Sequence, residues 1–223
     1  MLDYTAPVRD MKFVINELIG MNQIAQLRGY DEVNEELSDA ILEEASRLAR
    51  EVLSPLNRKG DLEGTHLTDG DVKTPEGWKE AYKSFCDGGW GSLSMSPEYG
   101  GQGLPKVISS AVSEMWDASN MSFSLCPLLT NGAIEAIEKH GSESLRSTYL
   151  GKLVSGEWTG TMNLTEPQAG SDLSAVQTKA IRDGQHYRIK GQKIYITYGE
   201  HDLVGNIIHL VLARTPDAPA GTR

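Results

Sequence analysis

The sequence predicts an α+β fold in which helices come first and strands follow. Three observations lead there. Apolar residues recur at three-and-four spacing up to about residue 156. After Gly156 the period becomes two. Strand-like and helix-like runs never alternate, as a βαβ unit or a Rossmann sheet requires. The reading is a helical domain over residues 1–156, including an N-terminal extension, followed by the start of an antiparallel β-barrel domain over 157–223.

The elements follow in order. From Glu35 to Leu56 the apolar set is Leu37, Ile41, Ala45, Leu48, Ala49, Val52 and Leu56, one face of a helix with Glu and Arg opposite. Ser54-Pro55 reads as its last turn or a kink, because proline restricts the residue before it. Thr74-Pro75 reads as a cap and first helical position. The helix that follows puts Trp78, Tyr82 and Phe85 on one face and stops at Gly88-Gly89. A loop, MSPEYGGQGLP, leads to helical runs over 105–119, 124–140 and 142–155, the second closing at His140-Gly141. Beyond Gly156, HYRIKGQKIYIT alternates, with Tyr187, Ile189, Lys193, Tyr195 and Thr197 on one face and Arg188, Lys190, Ile194 and Ile196 on the other. Asp183-Gly184 marks a hairpin turn just before it. NIIHLVLAR reads as a further strand. About four strands leave open edges and an exposed apolar face, so the β domain is expected to continue beyond residue 223.

Composition narrows the function. Lys and Arg number 21 against 31 Asp and Glu, a net charge of −10, which argues against a nucleic-acid partner or an anionic membrane surface. The two cysteines, Cys86 and Cys126, form no CxxC pair, so no disulfide framework or zinc site is expected and a reduced cytoplasmic setting fits. MLDYTAPVRDMKF lacks the unbroken apolar core of a signal peptide, and no run reaches the length of a membrane span.

Most candidate motifs have an ordinary reading. YGGQGLP lacks the strand before it and the G-x-G-x-x-G spacing of a dinucleotide loop, and reads as an interhelical turn. The five histidines have no metal-ligand spacing, and His140 suits a helix C-terminus. Without a G-x-S-x-G elbow, hydrolase chemistry has no anchor. Glu114 and Glu135 read as solvated helix faces, and Met115, Trp116, Met121 and Phe123 as core or pocket wall. Two stretches remain. The turn Thr165–Ser171 gathers hydroxyls and small residues, a concave set of donors suited to an acceptor-rich ligand edge. Tyr195 and Thr197, two apart on a strand, share a face. Both patterns also occur as plain turns and strands.

At these residues the chain resembles the acyl-CoA dehydrogenase family of flavoproteins. One signature reads Leu164-Thr165-Glu166-Pro167-Gln168-Ala169-Gly170-Ser171-Asp172, with Asn163 in place of the usual small residue and Met162 where an aromatic is frequent. The other reads Tyr195-Ile196-Thr197-Tyr198-Gly199, with Tyr where Trp is common, and PEYGGQG matches in the helical part. The flanks, APVRDMKFVINEL and YGEHDLVGNIIHLVLARTPDAPAGT, resemble the larger branch that includes 3-methylmercaptopropionyl-CoA dehydrogenases. The resemblance implies FAD, held by Met162, Leu164, Thr165, Gly170, Ser171, Tyr195, Ile196 and Thr197. Thr165 would lie near the flavin pyrimidine, Tyr195 against the ring and Thr197 as a donor to N5. Ser171 would also touch the substrate where the CoA arm passes. It further implies α,β-dehydrogenation of an acyl-CoA to the trans-2-enoyl-CoA, on a short or thioether acyl group, with electron-transfer flavoprotein as acceptor and a homo-oligomer as the assembly. No catalytic residue is assigned, since the family's base is expected beyond Arg223. A flavin oxidase or monooxygenase on the same scaffold, and a non-catalytic helical module, are the alternatives.

Overall fold

The computed structural model describes residues 4–221. Helix α1 (Val8–Phe13) runs through a wide π turn over Val14–Ile19 into the short α2 (Met21–Ile24), reversing at Gly20 with φ +85°. Helix α3 (Glu35–Leu48) is capped by Asn34, whose Oδ1 accepts the Leu37 N–H at 2.8 Å. Its buried stripe is Leu42, Ala45, Ala49 and Leu53, all fully buried, while Leu37, assigned to the inner face by spacing, is exposed. The helical path does not end near Leu56. It passes through a second π turn, Ala49–Leu53, into α4 (Ser54–Glu63), where Pro55 sits in the first turn and its missing N–H is harmless.

A hairpin that the spacing did not indicate follows: β1 (His66–Thr68) pairs antiparallel with β2 (Asp71–Lys73) about Asp69-Gly70, both with positive φ. Helix α5 (Trp78–Asp87) buries Trp78, Tyr82 and Phe85 as expected. It starts three residues after Pro75, however, at Trp78, with Gly77 (φ +93°) in the cap position. Thr74 is turned to Asp202 instead, its N–H and hydroxyl both donating to Asp202 Oδ1 at 3.0 and 2.7 Å. The glycine-rich loop is an interhelical turn. The N–H groups of Gly101, Gln102, Gly103 and Leu104 go to carbonyls of Ser96, Ser92, Met95 and Leu93, so they are spent internally rather than turned toward a phosphate.

Helix α6 (Lys106–His140) joins two of the expected helical runs. Its break lies at Asn120, with φ −159° and ψ 83°. The fully buried Asn120 side chain donates to the Leu53 carbonyl and accepts from the Phe123 N–H and the Ser122 hydroxyl, capping the second half from within. Before the break, Ile108, Val112, Met115 and Trp116 join the main core, where Phe85, Trp90, Trp116 and Phe123 meet edge to face. After it, Ile134 and Ile137 join Leu150, Leu153 and Val154 of α7 (Glu143–Val154) in a second cluster that Trp158, Ile208 and Leu210 cover.

The β part holds four strands: β3 (Thr159–Asn163), β4 (Lys179–Asp183), β5 (His186–Lys190) and β6 (Ile207–Val211). β4 and β5 form the hairpin expected at Asp183-Gly184. Two expectations are corrected. β3 and β6 pair in parallel, Thr159 with Ile207 through Asn163 with Val211, so the β part is not purely antiparallel. β5 ends at Lys190, and 191–197 is an irregular extended segment, because its groups pair with the turn at 164–166 rather than with a neighbouring strand. The hairpin leaves Ile181, Tyr187 and Ile189 about half exposed.

β3 lies directly on α6. The Gly160 N–H donates to Thr130 Oγ1 at 3.1 Å, and a Cβ at residue 160 would stand 2.5 Å from Ala133 Cβ. Gly160→Ala therefore overpacks a helix–strand contact and is expected to destabilise by about 1–3 kcal/mol, read from urea unfolding. An unchanged midpoint would show that strand and helix separate freely.

Candidate functional site

A cleft of about 1280 Å³ opens between the helical part and the β part. Its helical wall carries Val72, Trp78, Met121 and Leu125, supplied by the β1–β2 hairpin, α5 and the region of α6 just past the Asn120 break. The opposite wall is polar: Asn163 from β3, His209 from β6, and Lys193 and Thr197 from the extended segment.

Tyr198 fastens the two walls. It receives a hydrogen bond from Trp78 Nε1 at 3.2 Å and donates to the Ser122 carbonyl at 2.7 Å. Burial pushes its phenol well above the ordinary range. Its backbone is left-handed, φ +52°. Next to it His201 is buried, and burial lowers its pKa, so the ring is neutral. Its Nδ1 accepts the Leu203 N–H at 3.2 Å, which leaves the proton on Nε2 to reach Thr159 Oγ1 at 3.0 Å. Asp202 reaches back to the helical part through Thr74 and Lys79. Burial alone would raise its carboxyl, but these donors hold it well below the carboxylate range. On the polar wall the Thr161 hydroxyl donates to Asn163 Oδ1 at 2.7 Å. His209 Nδ1 lies 2.6 Å from the Thr161 hydroxyl oxygen and, with the hydroxyl proton given to Asn163, donates to it.

The turn over 164–171 is built around a buried carboxylate. Glu166 and Ala169 exchange both backbone hydrogen bonds at 3.0 Å. The Glu166 side chain is 3% exposed, and Oε1 receives Lys193 Nζ at 2.8 Å and the Thr178 N–H at 3.0 Å. Oε2 receives the Gln177 N–H at 2.8 Å and Gln168 Nε2 at 2.6 Å. Burial would raise this carboxyl, but Lys193 and the donors from Thr178 and Gln177 outweigh it, and its pKa is far below the ordinary value. Lys193 also donates to the Leu164 carbonyl at 2.9 Å, and Ile194 N–H to the Thr165 carbonyl at 3.1 Å. The first motif and the segment that leads into the second, joined 27 residues apart at Glu166 and Lys193, are thereby one unit.

Of the residues singled out from the sequence, Ile196 and Thr197 line the cleft. Met162, Leu164, Thr165, Gly170, Ser171 and Tyr195 do not. Met162, Leu164 and Thr165 are half-buried beside it, while Gly170 and Ser171 stand exposed at the tip of the turn. Tyr195 is 89% exposed with φ +56°, so it does not share a strand face with Thr197. Spacing missed Glu166, Lys193, Tyr198 and Asp202. Glu166 and Tyr198 had a local signal, as members of the two motifs, while Lys193 and Asp202 had none. Met121, read as core or wall, is a wall residue and half exposed. Among the described residues no group of three His, Cys, Asp or Glu side chains gathers to hold a metal, and no helix is long and apolar enough to cross a membrane.

Family models match in the same order: the N-terminal domain of acyl-CoA dehydrogenase over residues 35–157 and its middle domain over 161–222. The chain belongs to the acyl-CoA dehydrogenase family. It is 53% identical over its whole length to 3-methylmercaptopropionyl-CoA dehydrogenase of Ruegeria pomeroyi, covering 38% of that protein. It is 40% identical over 99% of its length to a butyryl-CoA dehydrogenase of Syntrophomonas wolfei, covering 37%. The chain thus spans under two-fifths of the length of these relatives. In fold it is similar to a glutaryl-CoA dehydrogenase of Mycobacterium smegmatis, with a TM-score of 0.67 and 23% identity over 85% of this chain and 45% of that one.

Proposed function

We propose that this chain forms part of an FAD-dependent acyl-CoA dehydrogenase that converts an acyl-CoA to its trans-2-enoyl-CoA. The observation that carries the reading is the large cleft between the helical and β parts, lined by Ile196 and Thr197 of a family signature, with Trp78, Met121 and Leu125 as its apolar patch and donors from Asn163, Lys193 and Arg58 around it. The residues fit a flavin. Thr197, Asn163 and Lys193 set donors along the wall, and flavin edges are rich in acceptors. Thr165, Gly170, Ser171, Met162, Leu164 and Tyr195 flank that wall and are proposed contacts for the rest of the FAD, with Ser171 also meeting the CoA arm. Bound FAD supplies the two-electron acceptor for the hydride leaving the acyl β carbon. The chain's own part is to bind, orient and shield. Trp78, Met121 and Leu125 exclude water from the side where an acyl chain lies, and the Tyr198 fastening keeps the two walls at a fixed separation.

The proposed substrate is a short or thioether acyl-CoA, supported by the identity to the Ruegeria protein. Electron-transfer flavoprotein is the proposed acceptor, a homo-oligomer the proposed assembly, and the cytoplasm the proposed location, the last supported by two unpaired cysteines.

The test uses the full-length protein. Purified protein should carry flavin absorbance that bleaches anaerobically when a short-chain or thioether acyl-CoA is added, with enoyl-CoA as product. A colourless protein that takes up no FAD would refute the reading. Thr197→Val keeps shape and removes one donor. A hydrogen bond worth about 1 kcal/mol equals about 20 mV in a two-electron couple, so the flavin potential should fall by that order. A potential unchanged at full FAD occupancy removes Thr197 from the flavin.

A further inference from the structure

Lys193 has an unused donor in a place where an unused donor has a purpose. An ammonium offers three N–H groups. One goes to the Leu164 carbonyl at 2.9 Å and one to Glu166 Oε1 at 2.8 Å, and no third acceptor lies among the described residues. The side chain is only 10% exposed, so the third N–H is open to solvent through a narrow opening at most. Yet Lys193 lines the cleft, beside Thr197 and Asn163 on the donor-rich wall. The ammonium cannot easily turn away. Its partner carboxylate is fixed by three further donors, from Gln168, Gln177 and Thr178. A buried lysine with two fixed bonds has its remaining N–H fixed as well.

We propose that Lys193 is a ligand-contacting residue, whose third N–H donates to the acceptor-rich edge of the flavin bound in the cleft. This rests on the functional reading above. A flavin edge fits better than an acyl chain for two chemical reasons. It carries carbonyl oxygens and ring nitrogens side by side, and it gains negative charge on reduction, which a fixed ammonium favours. Glu166 balances the charge, so Lys193 acts by a directed hydrogen bond whose worth rises as the flavin is reduced. The same lysine that ties the first motif to the segment leading into the second then sets the cofactor against them.

The test begins with unsubstituted full-length protein, stripped of FAD or loaded with it. Lysines are labelled by reductive methylation and peptides are read by mass spectrometry. Lys193 should be modified in the stripped protein and protected by FAD, and acyl-CoA alone should not protect it. Equal labelling with and without FAD overturns the proposal, as does a Lys193 that stays unmodified in both states. Protection by acyl-CoA and not by FAD moves the donor to the substrate and overturns it too. The second arm is the double variant Lys193→Met/Glu166→Gln, which removes both buried charges together. It should bind FAD about tenfold more weakly, the equivalent of about 1.4 kcal/mol, and show a lower flavin potential. Wild-type affinity and potential in that variant overturn the proposal. An unsubstituted protein that binds no FAD defeats the functional reading itself, and this proposal with it.

Discussion

Lys193→Met alone should destabilise the protein by about 3–5 kcal/mol, because it leaves Glu166 as an unpaired buried charge. Methionine keeps most of the stem, so lost packing contributes little. The Leu164 carbonyl also loses its donor, and the turn at 164–169 loses its tie to the 193–197 segment. Urea unfolding measures the loss, and a change below 1 kcal/mol, on the order of one ordinary hydrogen bond, would mean that the carboxylate finds water. The same pair makes a pH prediction. The folded-state pKa of Glu166 lies far below the ordinary carboxylate value, so its ionised form favours the fold. That contribution is fully present above the unfolded value of about 4.3, and it is lost progressively as pH falls below that value. The double variant Lys193→Met/Glu166→Gln should lack this component, and its acid unfolding should be shallower in that window.

Trp78→Ala should be comparably severe, at about 3–5 kcal/mol for a truncated core aromatic. Trp78 is 3% exposed and packs over Gly60, where a Cβ would stand 2.2 Å from the indole ring. Its Nε1 also holds Tyr198, which in turn holds Ser122. Trp78→Phe separates the two effects. It keeps most of the apolar volume and removes the donor, so it should destabilise by about 1 kcal/mol from the lost bond, plus a smaller packing loss. Denaturant unfolding of both variants checks the order. A Phe variant as unstable as the Ala variant would assign the weight to the hydrogen bond rather than the ring.

Local pattern revealed α3, α5, α6, α7 and one hairpin, but not α1 or α2, for physical reasons that also explain the failures. Trp78, Tyr82 and Phe85 fall on one helix face by rotation alone, and burial follows. The hairpin was legible through Gly184, whose φ of +65° suits glycine, although Asp183 is itself the last paired strand residue, opposite His186. Asp69-Gly70 carries the same signal without a strand pattern to support it, because the runs beside it are only three residues long and mostly polar. The parallel pairing of β3 with β6 joins segments almost fifty residues apart, and nothing in either segment specifies the other. Alternation from Tyr187 to Thr197 was real in the sequence, but a strand also needs a neighbour, and past Lys190 the neighbour is a turn. That is why Tyr195 departs into the left-handed region and Thr197 reaches the cleft without it. Glu166 lies within the first motif and Lys193 two residues ahead of the second, yet their meeting depends on the path of the 26 intervening residues, which no local period records.

Helix α6 has a thermodynamic consequence. It is continuous along the chain, yet it serves two hydrophobic clusters: residues from Ile108 through Cys126, across the Asn120 break, join the first, and Ile134 and Ile137 join the second. Opening the second cluster strips β3 from Thr130 and Ala133 and frays the helix from its C-terminal side. Opening the first removes the Leu53 carbonyl that anchors the Asn120 amide. Each event loosens the other through one shared backbone. The two parts are therefore coupled as a single cooperative unit, in which amide protons of the second half of α6 exchange with solvent on the schedule of β3. Wherever along the chain a boundary is drawn, α6 is the joint that makes the cleft open or hold as a whole.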